Sequence, residues 1–181
     1  MGSKIVILLE NGFEEIEMMI PADVLKRVGF EVVLAGVQKT VTGSHNIKIE
    51  TDVQIHEIDP AYFDCVILPG GMPGSTNLKK NPDVLTLIQK MNSAGKIIAA
   101  ICAAPIVLMQ AGILKGKKAA GHPSIRNELV GVMYSPAMTE SSGNIITGKG
   151  PGAAYEFTAK IAEIMGKKAE LDKVLADMFV K

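Results

Sequence analysis

Short, strongly apolar segments alternate with amphipathic segments along the whole chain. The apolar segments are KIVILLE (4–10), EVVLAG (31–36), DCVILPGG (64–71), KIIAAIC (96–102) and the beginning of GNIITGKGPGAAYEFTAKIAEIMG (143–166). Apolar residues on both faces are typical of strands buried within a parallel sheet, and the segments between them have helical spacing. The pattern predicts an α/β fold in which helices cover both faces of an open, mostly parallel sheet.

The first predicted helix follows the first strand. Every fourth residue from Ile16 to Val28 is apolar, which predicts an amphipathic helix that ends at Gly29. Two later segments are less regular. Alternation over residues 45–52 predicts a more exposed strand pair at one edge of the sheet, and residues 116–129 predict a strand followed by a turn into a helix.

The helix predicted at 81–95 carries clear signals at both ends. Asn81 is the expected cap, Pro82 occupies the first helical position, and Gly95 is the stop signal. The same spacing of apolar residues continues in the second half of the chain. It predicts further helices at 104–112, in the second half of 143–166, and at 167–179.

Composition and charge narrow the classes of function. The 181 residues predict one domain, spanning 1–181, with a sizeable core. Nineteen basic and nineteen acidic residues cancel, so the net charge indicates neither a nucleic acid nor a membrane partner. No apolar run reaches the roughly 18 residues of a spanning helix, and the first residues indicate a strand rather than a secretory signal. Two cysteines without CxxC spacing and three histidines argue against a closed Cys/His zinc site, and the reducing cytoplasm is the expected location.

Residues that can carry chemistry lie at the predicted strand ends. Ligands of open α/β sheets bind outside the carboxyl ends of the strands. Those ends carry Glu10–Gly12, Pro69–Gly71, Cys102 and Gly148–Gly150. A pocket at this edge would therefore combine a thiol, an acid-rich helical turn, glycine backbone and Lys149.

Cys102 has two interpretations, and spacing alone weighs them evenly. In the first, it is a nucleophile on a strand-to-helix turn, where the alanines on both sides leave room and the following helix favours the thiolate. In the second, it is a small, inert core residue, which is common for cysteine. Cys65 lies inside a predicted strand, and for Cys65 the inert interpretation is favoured.

The acids that open the first helix also have two interpretations. Glu14, Glu15 and Glu17 complement the helix dipole. Alternatively, one of them serves as a general acid or base near Cys102, and it would be protonated beside a thiolate because like charges disfavour each other. Helical spacing does not choose among the three.

The glycines and histidines also have more than one interpretation. Gly70 and Gly71 either form an oxyanion hole or only permit a tight turn. His122, between a strand and a helix, is an acid/base candidate, although a lone histidine is more often structural. His45 and His56 are expected at the surface.

The motifs together resemble the DJ-1/ThiJ/PfpI superfamily, and within it the DJ-1 group. In chain order they are NGFEEIE, LPGG, AAICAAP, HP and GPG, and the match runs from Lys4 to the last predicted helix. The AAICAAP block with an upstream EE-I-E is the specific part. The resemblance implies a flavodoxin-like (class I glutamine amidotransferase-like) three-layer sandwich and a homodimer.

The resemblance also implies roles for individual residues. Cys102 aligns with the reactive cysteine, Glu17 with the glutamate that contacts it, and His122 with the pocket histidine. Gly70–Gly71 align with the oxyanion glycines. Asp23 aligns with an aspartate that contacts the histidine across the dimer.

Three positions distinguish subgroups. The protease branch places a histidine directly after the cysteine, and this chain has Ala103 there, which argues against peptidase activity. His45 and Lys149 stand where the DJ-1 group often has arginines. The fork geometry of a guanidinium is therefore absent at both positions.

The resemblance favours a glyoxalase of type III, which converts methylglyoxal or glyoxal into a hydroxy acid without glutathione, metal or cofactor. Cys102 would attack the aldehyde, Glu17 with His122 would move the proton, and the two glycines would hold the oxyanion. Protein deglycase activity on glycated adducts uses the same groups. The alternative is a redox sensor or chaperone of the stress response, in which Cys102 is oxidised to a sulfinic acid beside protonated Glu17.

Overall fold

The centre of the structure, a computed structural model that describes residues 3–180, is a seven-stranded sheet. The strands of the chain are β1 (Lys4–Leu9), β2 (Glu31–Gly36), β3 (Thr40–Thr42), β4 (Lys48–Glu50), β5 (Val53–Gln54), β6 (Cys65–Leu68), β7 (Ile97–Ile101), β8 (Lys118–Ala119), β9 (Met133–Tyr134), β10 (Thr139–Ser142) and β11 (Ile145–Gly148). The sheet has the order β10-β11-β7-β6-β1-β2-β5, and every neighbouring pair is parallel except β10 and β11. The predicted mostly parallel sheet is confirmed.

Helices cover both faces of this sheet. They are α1 (Glu15–Val28), α2 (Gly74–Leu78), α3 (Pro82–Ser93), α4 (Pro105–Gln110), α5 (Ala154–Ile164) and α6 (Lys168–Asp177), with 3₁₀ turns at Ile55–Glu57, Pro60–Tyr62, Pro123–Glu128 and Pro151–Ala153. Strand β1 explains the layering, because alternate side chains of a strand point to opposite faces. Val6 and Leu8 pack with α3 and α4, whereas Ile5, Ile7 and Leu9 pack with α1, α5 and α6. Within residues 3–180, no helix is long and apolar enough to cross a bilayer.

The predicted helix ends are confirmed where the sequence carries a specific signal. The Asn81 side chain accepts a hydrogen bond from the Asp83 N–H at 3.0 Å, and Pro82 is the first residue of α3. Gly95, with φ of +69°, follows the end of that helix. Gly29 ends α1 with φ of +98°, a conformation that a residue with a Cβ seldom adopts.

The predicted apolar face of α1 is wrong in its first half. Val24 and Val28 are buried, but Ile16 is 47% exposed, and the side chains that turn inward at this end are Met18 and the two acids Glu15 and Glu17. The reason is that the first turn of α1 packs against the strand ends and the β3–β4 hairpin, so polar contacts there replace the apolar ridge.

Three local predictions also change in detail. Within the strand pair predicted at 45–52, only β4 is a strand; it pairs with β3, which lies before that range, in a separate two-stranded sheet, and β5 is the edge strand. Strand β8 pairs with β9 away from the main sheet, and a 3₁₀ turn follows it. Strand β10 was not predicted, because its sequence TESS is polar and it pairs only at the sheet edge.

Candidate active site

Cys102 lies directly after β7, in the turn that leads to α4. Its φ is +62°, in the left-handed region that non-glycine residues rarely occupy. Two backbone hydrogen bonds hold it there: the Cys102 N–H donates to the Gly148 carbonyl at 2.9 Å, and the Cys102 carbonyl accepts from the His122 N–H at 2.8 Å. The thiol is partly exposed, whereas Cys65 is fully buried in β6. Strain of this kind concentrates at functional sites, which favours the nucleophile interpretation of Cys102.

Glu17 projects from α1 into the same strand ends. Its side chain is 0% exposed, and its Oε2 accepts a hydrogen bond from the Gly70 N–H at 2.8 Å. Its Oε1 is buried and has no hydrogen-bond partner of ordinary geometry within the described residues. Glu14 caps α1 by accepting a hydrogen bond from the Glu17 N–H at 2.9 Å, and this cap fixes the backbone position of Glu17.

Burial raises the pKa of Glu17 from 4.5 to about 7, and the negative charge of Glu14 adds to this. The Gly70 N–H and the neighbouring Cys102 thiol act in the opposite direction. The carboxyl group is therefore near the midpoint of its titration at neutral pH, which suits a group that accepts and returns a proton.

Burial, followed by the charge of the Glu17 carboxylate and its contact with the thiol, raises the pKa of Cys102 to about 12. The N–H groups of Gly71 and Ala103 partly offset this shift by favouring the thiolate. Between pH about 7 and about 12, the thiol and the carboxyl group thus hold one proton between them. The sequence predicted the alternative distribution of this proton, in which Glu17 carries it and Cys102 is a thiolate.

Gly70 and Gly71 make room for this pair. A Cβ at Gly70 would lie 2.6 Å from the Cys102 Cβ and 2.7 Å from Glu17 Oε2, so no side chain fits there. Gly71 has φ of +90°. The Gly70 N–H is engaged by Glu17, so the donors that face the sulfur are those of Gly71 and Ala103.

His122 and Lys149 border the site on its other side. The His122 Nδ1 contacts the Ser124 hydroxyl at 2.8 Å and accepts from the Ser124 N–H at 3.2 Å, which places the ring hydrogen of the neutral form on Nε2. The Lys149 ammonium donates to the Pro136 carbonyl at 3.2 Å. Both side chains line one pocket, so the structure brings together these two predicted residues.

Asp23 lies apart from the other predicted residues. It is exposed on α1 and forms an ion pair with Arg27 at 2.8 Å, while His122 uses Ser124 as its partner. The contact between Asp23 and a histidine of a second copy stays a prediction.

His45 is exposed, as predicted, and so is His56. The His45 Nδ1 lies 2.8 Å from Glu15 Oε2, and the His45 N–H donates to Glu15 Oε1 at 2.7 Å. The hydrogen bond and charge of Glu15 raise the pKa of His45. Burial alone would raise the pKa of Glu15, but hydrogen bonds from His45 and Ser44 outweigh it and lower that pKa.

Glu14, Glu15 and His45 also offer three potential metal ligands within 4.8 Å of one another. Their oxygen atoms already accept hydrogen bonds from the chain, since Glu14 caps α1 and Glu15 holds the β3–β4 hairpin. We therefore interpret this group as the contact that fixes the hairpin on α1.

Sequence reasoning named Glu14 but missed its capping role, and it missed Tyr134 altogether. Glu14 caps the helix that carries Glu17, and its position three residues earlier is the signal that could have found it. Tyr134 donates from its hydroxyl to the Gly121 carbonyl at 2.8 Å, next to His122. No local pattern identifies Tyr134, because the contact joins two separate segments.

The fold and site define a class: three-layer α/β proteins that present a cysteine on a strained strand-to-helix turn beside a buried glutamate. The family model described as the DJ-1/PfpI family matches residues 3–164. The chain belongs to the DJ-1/PfpI family.

Individual relatives agree over nearly the full length. The chain is 38% identical to protein dj-1beta of Drosophila melanogaster, over 99% of this chain and 98% of that protein. It is 32% identical to the deglycase PfpI of Pyrococcus furiosus, over 90% and 99% respectively. The crystal structure of Drosophila melanogaster DJ-1beta superposes with a TM-score of 0.96 at 37% identity and covers 100% of both chains. These similarities confirm the predicted flavodoxin-like sandwich.

Proposed function

We propose that the protein is a cysteine-dependent glyoxalase of type III that acts on methylglyoxal or glyoxal without a cofactor. The observation that carries the proposal is the pairing of a partly exposed thiol, Cys102, with a buried carboxyl group, Glu17, whose pKa is raised to about 7. Lactate formation from methylglyoxal by the wild type and by Cys102→Ser tests it.

The first step joins the thiol to the aldehyde. The Glu17 carboxylate accepts the Cys102 proton as the sulfur attacks the aldehyde carbon and the C=O electrons move to oxygen. Glu17 then returns the proton to that oxygen, which gives a hemithioacetal. The N–H groups of Gly71 and Ala103, which face the sulfur, are the nearest donors for the charge that develops.

The second step moves a proton between two carbons. Glu17 removes the hydrogen from C1 of the hemithioacetal, the C–H electrons form a C1=C2 double bond, and the C2=O electrons move to the C2 oxygen. The proton of the C1 hydroxyl then passes to that oxygen, the C1–O electrons form the thioester carbonyl, and Glu17 delivers its proton to C2. The result is a thioester of lactate on Cys102. Water cleaves the thioester, releases lactate and restores the thiol, so the sum is methylglyoxal plus water to lactate. We propose that His122, through its Nε2–H, donates a hydrogen bond to the C2 oxygen.

The same groups suit a glycated adduct. Relatives at 30–32% identity are named deglycases, among them the proteins of Pyrococcus horikoshii and Pyrococcus furiosus. In such an adduct the former aldehyde carbon keeps its oxidation level, so departure of the amine or thiol regenerates the aldehyde that Cys102 attacks. We therefore propose glycated amines and thiols as a second group of substrates for Cys102.

We also propose that the protein works as a homodimer. On the outer face of α1, Ile16 and Met19 are 47% and 52% exposed. They adjoin a groove of about 370 Å³ between α1 and the β3–β4 hairpin, which Asp23 also lines. A second copy over this face would bury the apolar side chains and place Asp23 near the other copy's His122.

Met19→Glu is expected to convert the dimer into a monomer, because it places a charge at the centre of the apolar face. Light scattering coupled to size exclusion measures the change. Val130→Glu is the matched control, since Val130 is 71% exposed and lies in the segment between the Pro123–Glu128 turn and β9 rather than on α1. A wild type that elutes as a monomer at micromolar concentration would refute the dimer.

A second function, redox sensing, is favoured by the same pair of groups. A protonated Glu17 would donate a hydrogen bond from Oε1 to an oxidised Cys102, and a homologous structure, 31% identical, is titled "Toxoplasma gondii DJ-1, oxidized". Both cysteines are free thiols, which fits the reducing cytoplasm that we propose as the location.

Mild peroxide treatment should add two oxygen atoms to Cys102 and leave Cys65 unmodified. The physical reason is access, since Cys102 is partly exposed and Cys65 is buried with a strongly raised pKa. Intact mass and peptide mapping measure the result. In Glu17→Ala the sulfinic form should be lost; equal oxidation of both cysteines, or of methionines alone, would count against the sensor.

A further inference from the structure

The tip of the β3–β4 hairpin, residues 42–45, rests on the loop that joins β1 to α1. The Gly12 N–H donates to the Thr42 carbonyl at 2.8 Å, and the Ser44 N–H donates to the Phe13 carbonyl at 2.8 Å. These main-chain bonds join two segments that are far apart in sequence. The hairpin tip therefore supports the loop from one side.

Glu15, the first residue of α1, is the side chain at the centre of this contact. It is 5% exposed, and its Oε1 accepts a hydrogen bond from the His45 N–H at 2.7 Å. Its Oε2 accepts from the Ser44 hydroxyl at 3.2 Å and lies 2.8 Å from His45 Nδ1. A buried carboxylate is costly unless such donors satisfy it, so the tip and the carboxylate hold each other in place. A Cβ at Gly43 would clash with this carboxylate, which shows how closely the tip is seated.

The other side of the same loop contacts the reactive site. The Glu14 N–H donates to the Gly70 carbonyl at 2.9 Å, and a Cβ at Gly71 would lie 2.5 Å from the Glu14 nitrogen. Gly71 in turn supplies an N–H that faces the Cys102 sulfur. Glu14 also caps the helical turn that carries Glu17. A displacement of this loop would therefore move both the Glu17 carboxyl group and the Gly71 N–H relative to the sulfur.

We propose that Glu15 is a positioning residue for the Cys102–Glu17 pair: it fastens the hairpin tip to the β1–α1 loop and thereby keeps the carboxyl group aligned with the thiol. The hydrogen bonds matter more than the charge, because His45 is exposed and an exposed ion pair contributes little. The expected effect on turnover rests on the proposed glyoxalase function, whereas the effect on the thiol does not.

Glu15→Ala should lower kcat for methylglyoxal by about ten- to hundredfold with little change in KM, because a misaligned pair slows the chemical step rather than binding. Glu15→Gln keeps an oxygen for the His45 N–H and should retain kcat within about threefold. Glu57→Ala is the matched control, since that carboxylate also accepts a main-chain N–H, from Gln54 at 2.7 Å, but in the turn at Ile55–Glu57. It should leave kcat within about twofold of the wild type.

Gly43→Ala disturbs the same contact from the hairpin side. Gly43 does not have a positive φ, and the atoms that an added Cβ would meet first belong to the Glu15 side chain. This variant should reproduce the loss of kcat, and it provides the same test if Glu15→Ala does not fold. The double variant should lose no more than either single one, because both remove one contact. Hydrogen exchange at the Gly12 and Ser44 N–H groups should become faster in both single variants.

Alkylation of Cys102 by iodoacetamide separates this proposal from the proposed function, because it requires no turnover. Burial and the Glu17 carboxylate raise the pKa of the thiol, and release of the loop lessens both. The pH profile of alkylation should therefore shift to lower pH in Glu15→Ala, and the shift should be much smaller in a protein that already carries Glu17→Gln.

The outcomes are distinguishable. If methylglyoxal is not converted in a Cys102-dependent manner but the alkylation profile shifts as expected, the glyoxalase function fails and the positioning role of Glu15 stands. An unchanged alkylation profile in Glu15→Ala, a shift of equal size in the Glu17→Gln background, or additive effects of Glu15→Ala and Gly43→Ala would overturn the positioning role.

Discussion

Cys102→Ser is expected to lower lactate formation from methylglyoxal by at least about a hundredfold, to the background rate. Serine keeps the shape of the side chain, but its hydroxyl ionises far less readily than a thiol and is a weak nucleophile without a strong base. The Glu17 carboxyl group, with a pKa of about 7, is too weak a base for a hydroxyl. Lactate is measured enzymatically in the absence of glutathione.

Cys65→Ala is the matched control for this experiment. It removes the other free thiol, which is buried in β6 and takes no part in the proposed chemistry. This variant should retain the wild-type rate, after correction for any loss of folded protein. If the wild type and Cys102→Ser give the same rate, the protein is not a glyoxalase.

Glu17→Gln should reduce turnover by about a hundred- to ten-thousandfold, the usual contribution of a general acid or base. The amide accepts the Gly70 hydrogen bond as the carboxylate does, so the turn keeps its geometry, but it cannot carry the proton between carbons. In the same variant, alkylation of Cys102 by iodoacetamide at pH 8 should become faster. The carboxylate charge that raises the thiol pKa is gone, while the Gly71 and Ala103 N–H groups remain.

Loss of turnover together with gain of alkylation is the outcome that separates a proton carrier from a structural residue. If Glu17→Gln loses both turnover and alkylation of Cys102, the substitution has disrupted the structure of the site. If turnover survives while alkylation changes, Glu17 tunes the thiol without moving the substrate proton.

The same substitution should also change stability in a pH-dependent way. The pKa of Glu17 is raised on folding from 4.5 to about 7, so the folded state holds this proton more tightly than the unfolded state. The wild type therefore loses stability as pH rises from 4.5 to 7, by about 3 kcal/mol for a shift of this size. Glu17→Gln should match the wild type at pH 4.5 and exceed it at pH 8.5.

Urea unfolding at the two pH values measures this difference. Glu163→Gln, on the surface of α5, is the control and should leave the difference in stability between the two pH values close to that of the wild type. If Glu17→Gln gains the same stability at both pH values, the pKa of Glu17 is not raised on folding and the prediction is wrong.

The layered fold could be predicted because its determinants are local. Strands that are apolar on both faces are visible in short stretches of sequence. So are specific helix signals: Asn81 begins α3 and Gly29 ends α1 where expected. The polar edge strand β10 was missed because its partner supplies the information that its own residues lack. The apolar face of α1 was predicted wrongly in the first half of the helix. Ile16 continues the apolar i, i+4 spacing, yet the helix turns its acids toward the strand ends.

The site divides in the same way. Placing Cys102 on a turn needed only the strand before it and the helix after it. Choosing Glu17 over Glu14 and Glu15 required the family resemblance, since the choice depends on the Gly70 N–H, which is distant in sequence. Spacing could not show that the Gly70 N–H is already engaged by Glu17, or that Tyr134 supports the His122 segment. Both depend on contacts between separate segments of the chain.

The two hydrogen bonds that hold Cys102 at positive φ come from segments that the chain synthesises later, at His122 and Gly148. A nascent chain that has only reached α4 contains the cysteine but not the clamp that distorts it. The strained geometry of Cys102, and its position beside Glu17, are therefore complete only once β11 has joined β7.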